Sequence, residues 1–269
     1  MSTLARRYPV PGSRGALLSA ALACALVCAS ACAPTPAAAW SLATHRRIVA
    51  DAAALLPQPM RDRLGQLADL QSGTLYPDSI NTGREHHIYC PDGSCGDAPA
   101  TVAGGFRAIV ADFRSTGLLD ILAAIPAALL PAGCSSRADA DPDPIRDGNL
   151  AFRLGVVAHY LADVNVPYHT IPYTAPAQIR HPFFENEFDV RFSDVAATFD
   201  GRFDDVGGDP AAATAACARA AHEVLPFVDD PGTDHASARY RDTVAGCYGR
   251  AVNAVADLWY SVLVRLPER

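Results

Sequence analysis

Apolar residues recur every three or four positions along most of the chain after Trp40. Such spacing places them on one face of an α-helix. It predicts helices around 48–56 and 64–70, and at about 101–115, 118–130, 148–163, 183–192, 211–225 and 235–266. Stretches rich in Pro, Asp and Gly predict loops at 76–96, 131–147, 167–181 and 204–210. No alternating pattern indicates a strand, so we expect an all-α fold, a single multi-helix domain over residues 40–269.

The first 39 residues form a predicted signal peptide. Three Arg precede the apolar run 16–33, and three consecutive Ala at 37–39 offer a small-residue cleavage site before Trp40. We therefore expect a secreted or periplasmic protein whose mature chain starts at Trp40. The apolar run is about as long as a short membrane span, which leaves an uncleaved anchor as the alternative. The export route and lipid attachment at Cys32 stay open.

Five of the eight cysteines follow Trp40, a usage that suits an oxidising compartment. Neighbouring positions favour two disulfides, Cys90 with Cys95 and Cys217 with Cys247, although the sequence does not fix their connectivity. Cys134 would then be the cysteine without a partner.

The net charge of the chain is −7. The chain has no Lys, which excludes Lys Schiff-base chemistry. The acidic balance weighs only weakly against nucleic-acid binding, because bound metal ions would return positive charge.

Two clusters of metal-ligand residues lie close together in the sequence. His159, Asp163 and His169 form the first, and His181 and Glu185 the second. Residues four apart lie on one helix face, so each pair can close on one metal ion. Imidazole and carboxylate suit zinc, and carboxylates in apolar runs are rarely buried unless paired or bound to metal. The spacing therefore predicts a zinc site.

The run FRLGVVAHYLADVNVPYHT, followed by HPFFENEFD, resembles the metal core of the bacterial zinc-dependent phospholipases C, the family that includes the catalytic domain of clostridial alpha-toxin. Three further segments agree: the one from Trp40 to His45, GTLYPDSI and HHIYCPD. The similarity spans residues 40 to about 189. It implies an all-α domain that binds three zinc ions and acts as a monomer on phospholipid at a membrane surface. A zinc-bound water would hydrolyse the phosphodiester and release diacylglycerol and a phosphorylated headgroup.

The resemblance also implies a ligand set. One zinc would be held by Asp78, His87, His159 and Asp163; a second by Asp163, His45 and the terminal amino nitrogen and carbonyl of Trp40; the third by His169, His181 and Glu185. Cleavage before Trp40 would create the amine ligand, which titrates near pH 8 and so gives up its proton readily. Asp78 would also act as the general base, and His86 is an alternative to His87.

Three positions depart from the choline-preferring members of that family. Where those members have aromatic or acidic residues, this chain has Ser79, Arg84 and the run 41–44. The headgroup preference therefore stays open, and Arg84 favours a headgroup that carries an anionic group.

One alternative function is that of the single-strand-specific zinc nucleases and nucleotidases, which share the fold and would have a nucleic-acid partner. The spacing of Trp40 and His45 favours them, whereas Glu185 counts against them. A non-catalytic structural zinc protein is the other alternative, and the vacant position left by only three ligands at the third site argues against it.

Overall fold

The computed structural model describes residues 40–80, 83–123 and 148–268. These residues contain eight α-helices and no strand. The helices are α1 Leu42–Leu55, α2 Gln58–Leu64, α3 Leu67–Ser79, α4 Ala98–Ala123, α5 Leu150–Asp163, α6 His181–Arg191, α7 Pro210–Val228 and α8 Ala238–Leu263. Short 3-10 helices lie at Arg84–His87, Pro167–Thr170, Pro176–Arg180 and Val206–Gly208. The predicted all-α class is confirmed. The predicted signal peptide 1–39, Cys134 and the loop 131–147 lie outside these residues.

Several boundaries differ from the prediction. The predicted helix at 64–70 is interrupted at residues 65–66, where Gly65 adopts a φ of 93° and ends α2. Helix α3 runs on to Ser79, so Asp78 lies in its last turn and not in a loop. Pro77 suggested an earlier break, but the turn closes around it because the Ile80 N–H donates to the Tyr76 carbonyl at 3.2 Å. Helix α4 continues through residues 116–117, where a break between two helices was predicted. A single glycine inside a helix is tolerated at modest cost, which explains the continuity.

Helix α5 lies at the centre, and almost all of its residues are buried. Its amino end is capped by the Asn149 side chain, which accepts from the Phe152 N–H at 2.9 Å. Helices α3, α4 and α8 pack against it. A Cβ at Gly155 would lie 2.2 Å from the Leu70 carbonyl oxygen of α3, so only glycine permits this close approach. The crossing brings the end of α3 beside the His159 side chain.

Two buried tryptophans hold the ends of α5. The Trp40 indole N–H donates to the Ala162 carbonyl at 3.0 Å, and the Trp259 indole N–H donates to the Leu154 carbonyl at 3.2 Å. The Trp40 ring also packs edge-on against Phe188 of α6, with centroids 4.9 Å apart. The start of α1 is thereby fixed beside the carboxyl end of α5. No helix in the described residues combines the length and apolar character needed to cross a membrane.

The disulfide between Cys90 and Cys95 is present, as predicted, with Cα atoms 5.1 Å apart. The predicted pairing of Cys217 with Cys247 is wrong, because both are free thiols. Each faces a different group: Cys217 contacts the Asn165 side chain, and the Cys247 sulfur lies 3.3 Å from the Arg250 guanidinium. Burial raises the pKa of both thiols.

Candidate metal centre

The ends of α1, α3, α5 and α6 and the two loops between them bring all eight predicted side-chain ligands together. They form three groups in which the potential ligand atoms lie within 4.8 Å of one another. The groups are His45, Asp78 and His159; His87, His159 and Asp163; and His169, His181 and Glu185. All of these residues are buried except Asp78, whose side chain is 14% exposed. The fold therefore gathers the predicted ligands, but it groups His45 with Asp78 and His159, whereas the resemblance implied His45 with Asp163 and Trp40.

Asp163 lies at the centre of the first two groups. One carboxylate oxygen, Oδ2, is 2.7 Å from His87 Nδ1 and 3.2 Å from His159 Nε2, whereas Oδ1 is 3.2 Å from His45 Nε2. Burial alone would raise the pKa of Asp163, but His159, His45 and His87 together hold it well below its usual range. Because its two oxygens face different histidines, this carboxylate can bridge two cations.

Backbone carbonyls set the orientation of two imidazoles. His159 Nδ1 donates to the Thr74 carbonyl at 2.7 Å, and His169 Nδ1 donates to the His87 carbonyl at 2.6 Å. A carbonyl only accepts hydrogen bonds, so each Nδ1 carries a proton, and Nε2 is the ring nitrogen that each residue can offer to a metal ion once the imidazole is neutral. Burial lowers the pKa of His169 to about 4, which keeps it neutral. A neutral imidazole of fixed tautomer is the form that binds metal.

The third group is held by α6 and the loop before it. His169 Nε2 is 3.0 Å from His181 Nε2, and His181 Nε2 is 2.5 Å from Glu185 Oε1. Burial raises the pKa of Glu185 well above its usual range, and the nearby Asp163 and Asp78 raise it further. A cation between these three side chains would supply the positive charge that the site lacks.

Unsatisfied buried atoms provide an independent test of whether these residues fit zinc. Both ring nitrogens of His45, Oδ2 of Asp78, Oδ1 of Asp163 and Oε1 of Glu185 are buried and make no hydrogen bond of acceptable geometry, although His45 and His181 nitrogens lie close to two of these oxygens. Each such atom costs about 1–3 kcal/mol when left unpaired. Imidazole nitrogen and carboxylate oxygen are ligands that zinc accepts. The donor set therefore fits zinc.

The structure separates His87 from His86, the alternative ligand. His87 points into the cluster, whereas His86 Nδ1 lies 2.7 Å from Asp97 Oδ1, and its side chain is 35% exposed. The 3-10 turn Arg84–His87 directs the two neighbours to different sides. Trp40 is anchored at Ala162, the residue before Asp163, so residue 40 lies beside the cluster. Its role as a terminal ligand stays a prediction.

The sequence analysis did not identify two residues that contact the candidate ligands. One is Thr74, whose carbonyl orients His159 and which no side-chain pattern could reveal. The other is Tyr173, whose ring stands edge-on to the His169 imidazole with centroids 6.2 Å apart. It lies four residues after His169 in a loop, and nothing in its spacing marks it. The only sequence signal was its nearness to a candidate ligand.

Solved structures with a similar fold include two clostridial alpha-toxins. The alpha-toxin from Clostridium absonum matches with a TM-score of 0.54 and 15% identity over 82% of this chain and 63% of that chain. The alpha-toxin of an avian Clostridium perfringens strain matches with a TM-score of 0.52 and 15% identity over 82% and 62%. This chain thus spans less than two thirds of their length, and the likeness shows that its fold is alpha-toxin-like. No family model and no curated protein matches the chain.

Proposed function

We propose that this chain is an exported zinc-dependent phosphodiesterase, a phospholipase C that hydrolyses glycerophospholipids to diacylglycerol and a phosphorylated headgroup. One observation carries the proposal: a buried carboxylate, Asp163, faces three histidines beside a second group of two histidines and Glu185. Such a cluster is expensive to bury without metal. The alpha-toxin-like fold and the phospholipase C-like motifs around these residues support the same conclusion.

The family resemblance suggests how these residues would be divided among three zinc ions. Asp78, His87, His159 and Asp163 would hold one zinc, Asp163 with His45 and the Trp40 terminus a second, and His169, His181 and Glu185 a third. Zinc ions bound there would lower the pKa of a coordinated water and neutralise charge on the phosphoryl oxygens. The carbonyls of Thr74 and His87 would hold the rings of His159 and His169 in the orientation that directs Nε2 toward the metal.

Asp78 is the member of the cluster best placed to meet substrate. It is the most exposed of the eight side chains, and its Oδ1 lies 3.5 Å from His159 Nε2 and 3.9 Å from His87 Nδ1. Its other oxygen, Oδ2, has no hydrogen-bond partner. A carboxylate at this position can accept a proton from the attacking water and return it to the departing diacylglycerol oxygen. We therefore assign Asp78 the roles of general base and ligand.

The test starts from the chain beginning at Trp40, with its zinc content measured by mass spectrometry. Phospholipid vesicles of several headgroups and single-stranded DNA are then assayed in parallel. We expect diacylglycerol release that is lost on chelation and in Asp78→Asn, but kept in Asp62→Asn, an exposed aspartate of α2. Nucleotide release with intact lipid would assign the protein to the zinc nucleases. Bound zinc without either activity would support a structural role.

Export is part of the proposal, because cleavage before Trp40 creates the terminal ligand. The disulfide between Cys90 and Cys95 fits an oxidising compartment. The test compares the chain that starts at Trp40 with one that carries a single extra Ala before it. We expect the extended chain to bind less zinc at neutral pH, since an amide nitrogen does not replace an amine. Equal zinc content and activity would remove the terminal amine from the ligand set.

A further inference from the structure

An arginine and a tyrosine stand together at the rim of the metal centre. The Arg84 guanidinium carbon lies 5.6 Å from the centroid of the Tyr173 ring. That ring in turn meets the His169 imidazole edge-on, with an interplanar angle of 74°. Arg84 itself begins the 3-10 turn that ends at His87. A positive charge is therefore held one aromatic ring away from the third ligand group.

The Arg84 charge is available to a ligand. Its side chain is exposed, and no carboxylate in the described ranges lies within 4 Å of its guanidinium. By contrast, Arg180 pairs with Asp229 and Arg191 pairs with Glu187. The Tyr173 hydroxyl can donate a hydrogen bond as well as accept one. Two hydrogen-bond donors, one of them charged, thus line the rim.

Arg84 also changes what the Tyr173 ring can bind. An aromatic face attracts quaternary ammonium groups, but here the ring already has a guanidinium over it. A second cation at this ring would be repelled. A carboxylate or phosphate would instead form charge-assisted hydrogen bonds with the planar guanidinium.

We propose that Arg84 and Tyr173 form a specificity site that selects glycerophospholipids whose headgroup carries a second anionic group, a carboxylate or a phosphate, over choline lipids. This inference rests on the phospholipase C activity proposed above. Arg84 would contact the headgroup, and Tyr173 would be both a donor and the support that positions the guanidinium.

Binding of reaction products tests the site without turnover. O-phosphoserine and phosphocholine are titrated calorimetrically into the zinc-loaded chain that starts at Trp40. We expect phosphoserine to bind about tenfold more tightly, the factor that one charge-assisted hydrogen bond supplies. The preference should vanish in Arg84→Ala and fall in Tyr173→Leu. It should persist in Arg202→Ala, which removes an arginine that is 75% exposed and pairs with Asp204.

Hydrolysis provides the second arm. Vesicles of phosphatidylserine and of phosphatidylinositol 4-phosphate distinguish a carboxylate from a phosphate, with phosphatidylcholine as the reference and bis-p-nitrophenyl phosphate as a general phosphodiester. We expect Arg84→Ala to lower the ratio of anionic to choline lipid turnover about tenfold. If the unsubstituted protein and Arg84→Ala both cleave all of these lipids at equal rates, the specificity site alone is overturned. Failure to cleave any phosphodiester would overturn the proposed function, and a preference for single-stranded DNA over lipid would overturn both.

Discussion

Replacing Gly155 with alanine should damage the fold and the metal centre together. The added Cβ would lie 2.2 Å from the Leu70 carbonyl oxygen, 2.9 Å from the Thr74 nitrogen and 3.0 Å from the Gly73 Cα. All three atoms belong to the backbone of α3, so no side-chain rotation relieves the clash. Ordinary contact begins at 3.4 Å, which requires α3 and α5 to separate by about 1 Å. Strain of this kind costs about 1–3 kcal/mol.

The same displacement acts on the proposed zinc ligands. The Thr74 carbonyl would move away from His159 Nδ1, and their 2.7 Å hydrogen bond would exceed the usual limit. His159 would lose its fixed tautomer, and Asp78, one turn further along α3, would shift with it. Loss of such a supporting contact typically weakens metal binding 10–100-fold. We expect a comparable loss of zinc affinity in Gly155→Ala.

Gly249→Ala is the matched control, because a Cβ at this position of α8 meets nothing within 4 Å. Alanine there should stabilise the protein by up to about 1 kcal/mol, since glycine is the poorer helix former. Thermal unfolding and competitive zinc titration measure both variants. We expect Gly155→Ala to melt roughly 2–10 °C lower, and Gly249→Ala to melt slightly higher with unchanged zinc affinity. Equal behaviour of the two variants would refute the packing argument.

Three further predictions concern single side chains. Burial raises the pKa of Asp257 to about 6, so its charge penalises the folded protein increasingly from about pH 4 and fully above about pH 6. Asp257→Asn should therefore add about 1 kcal/mol at pH 7, after allowance for its partial exposure, and nothing below about pH 4, which thermal melting at both pH values measures. His87→Ala should lower zinc affinity at least about tenfold whereas His86→Ala should not, and equal losses in a zinc titration would contradict the assignment. Cys217 and Cys247 should both be alkylated in the unreduced, denatured protein, and peptide mass spectrometry that finds either one unlabelled would contradict the free thiols.

The sequence predicted the helical class and two pairs of candidate ligands because both depend on local spacing, whereas His45, Asp78 and His87 were expected only from the family resemblance. His159 with Asp163 and His181 with Glu185 each need only one helix to share a face, and both pairs meet as predicted. The free thiol at Cys217 could not be predicted, because pairing depends on how α7 packs against α8. The contact of Arg84 with Tyr173 joins two loops 89 positions apart and left no periodic signal.

The way charges are buried at this candidate centre predicts that folding and metal binding are coupled. Asp163 is completely buried, and the three histidines around it hold its pKa low. Glu185 is also buried, but the nearby carboxylates Asp163 and Asp78 add to the effect of burial, so its pKa is raised. The third group is therefore the one whose charge depends most on a bound cation. Zinc removal should first release α6, which carries His181 and Glu185, while α5 stays fixed by Trp40 and Trp259. Hydrogen exchange of the zinc-free protein should show faster exchange in α6 than in α5, and uniform loss of protection would contradict this order.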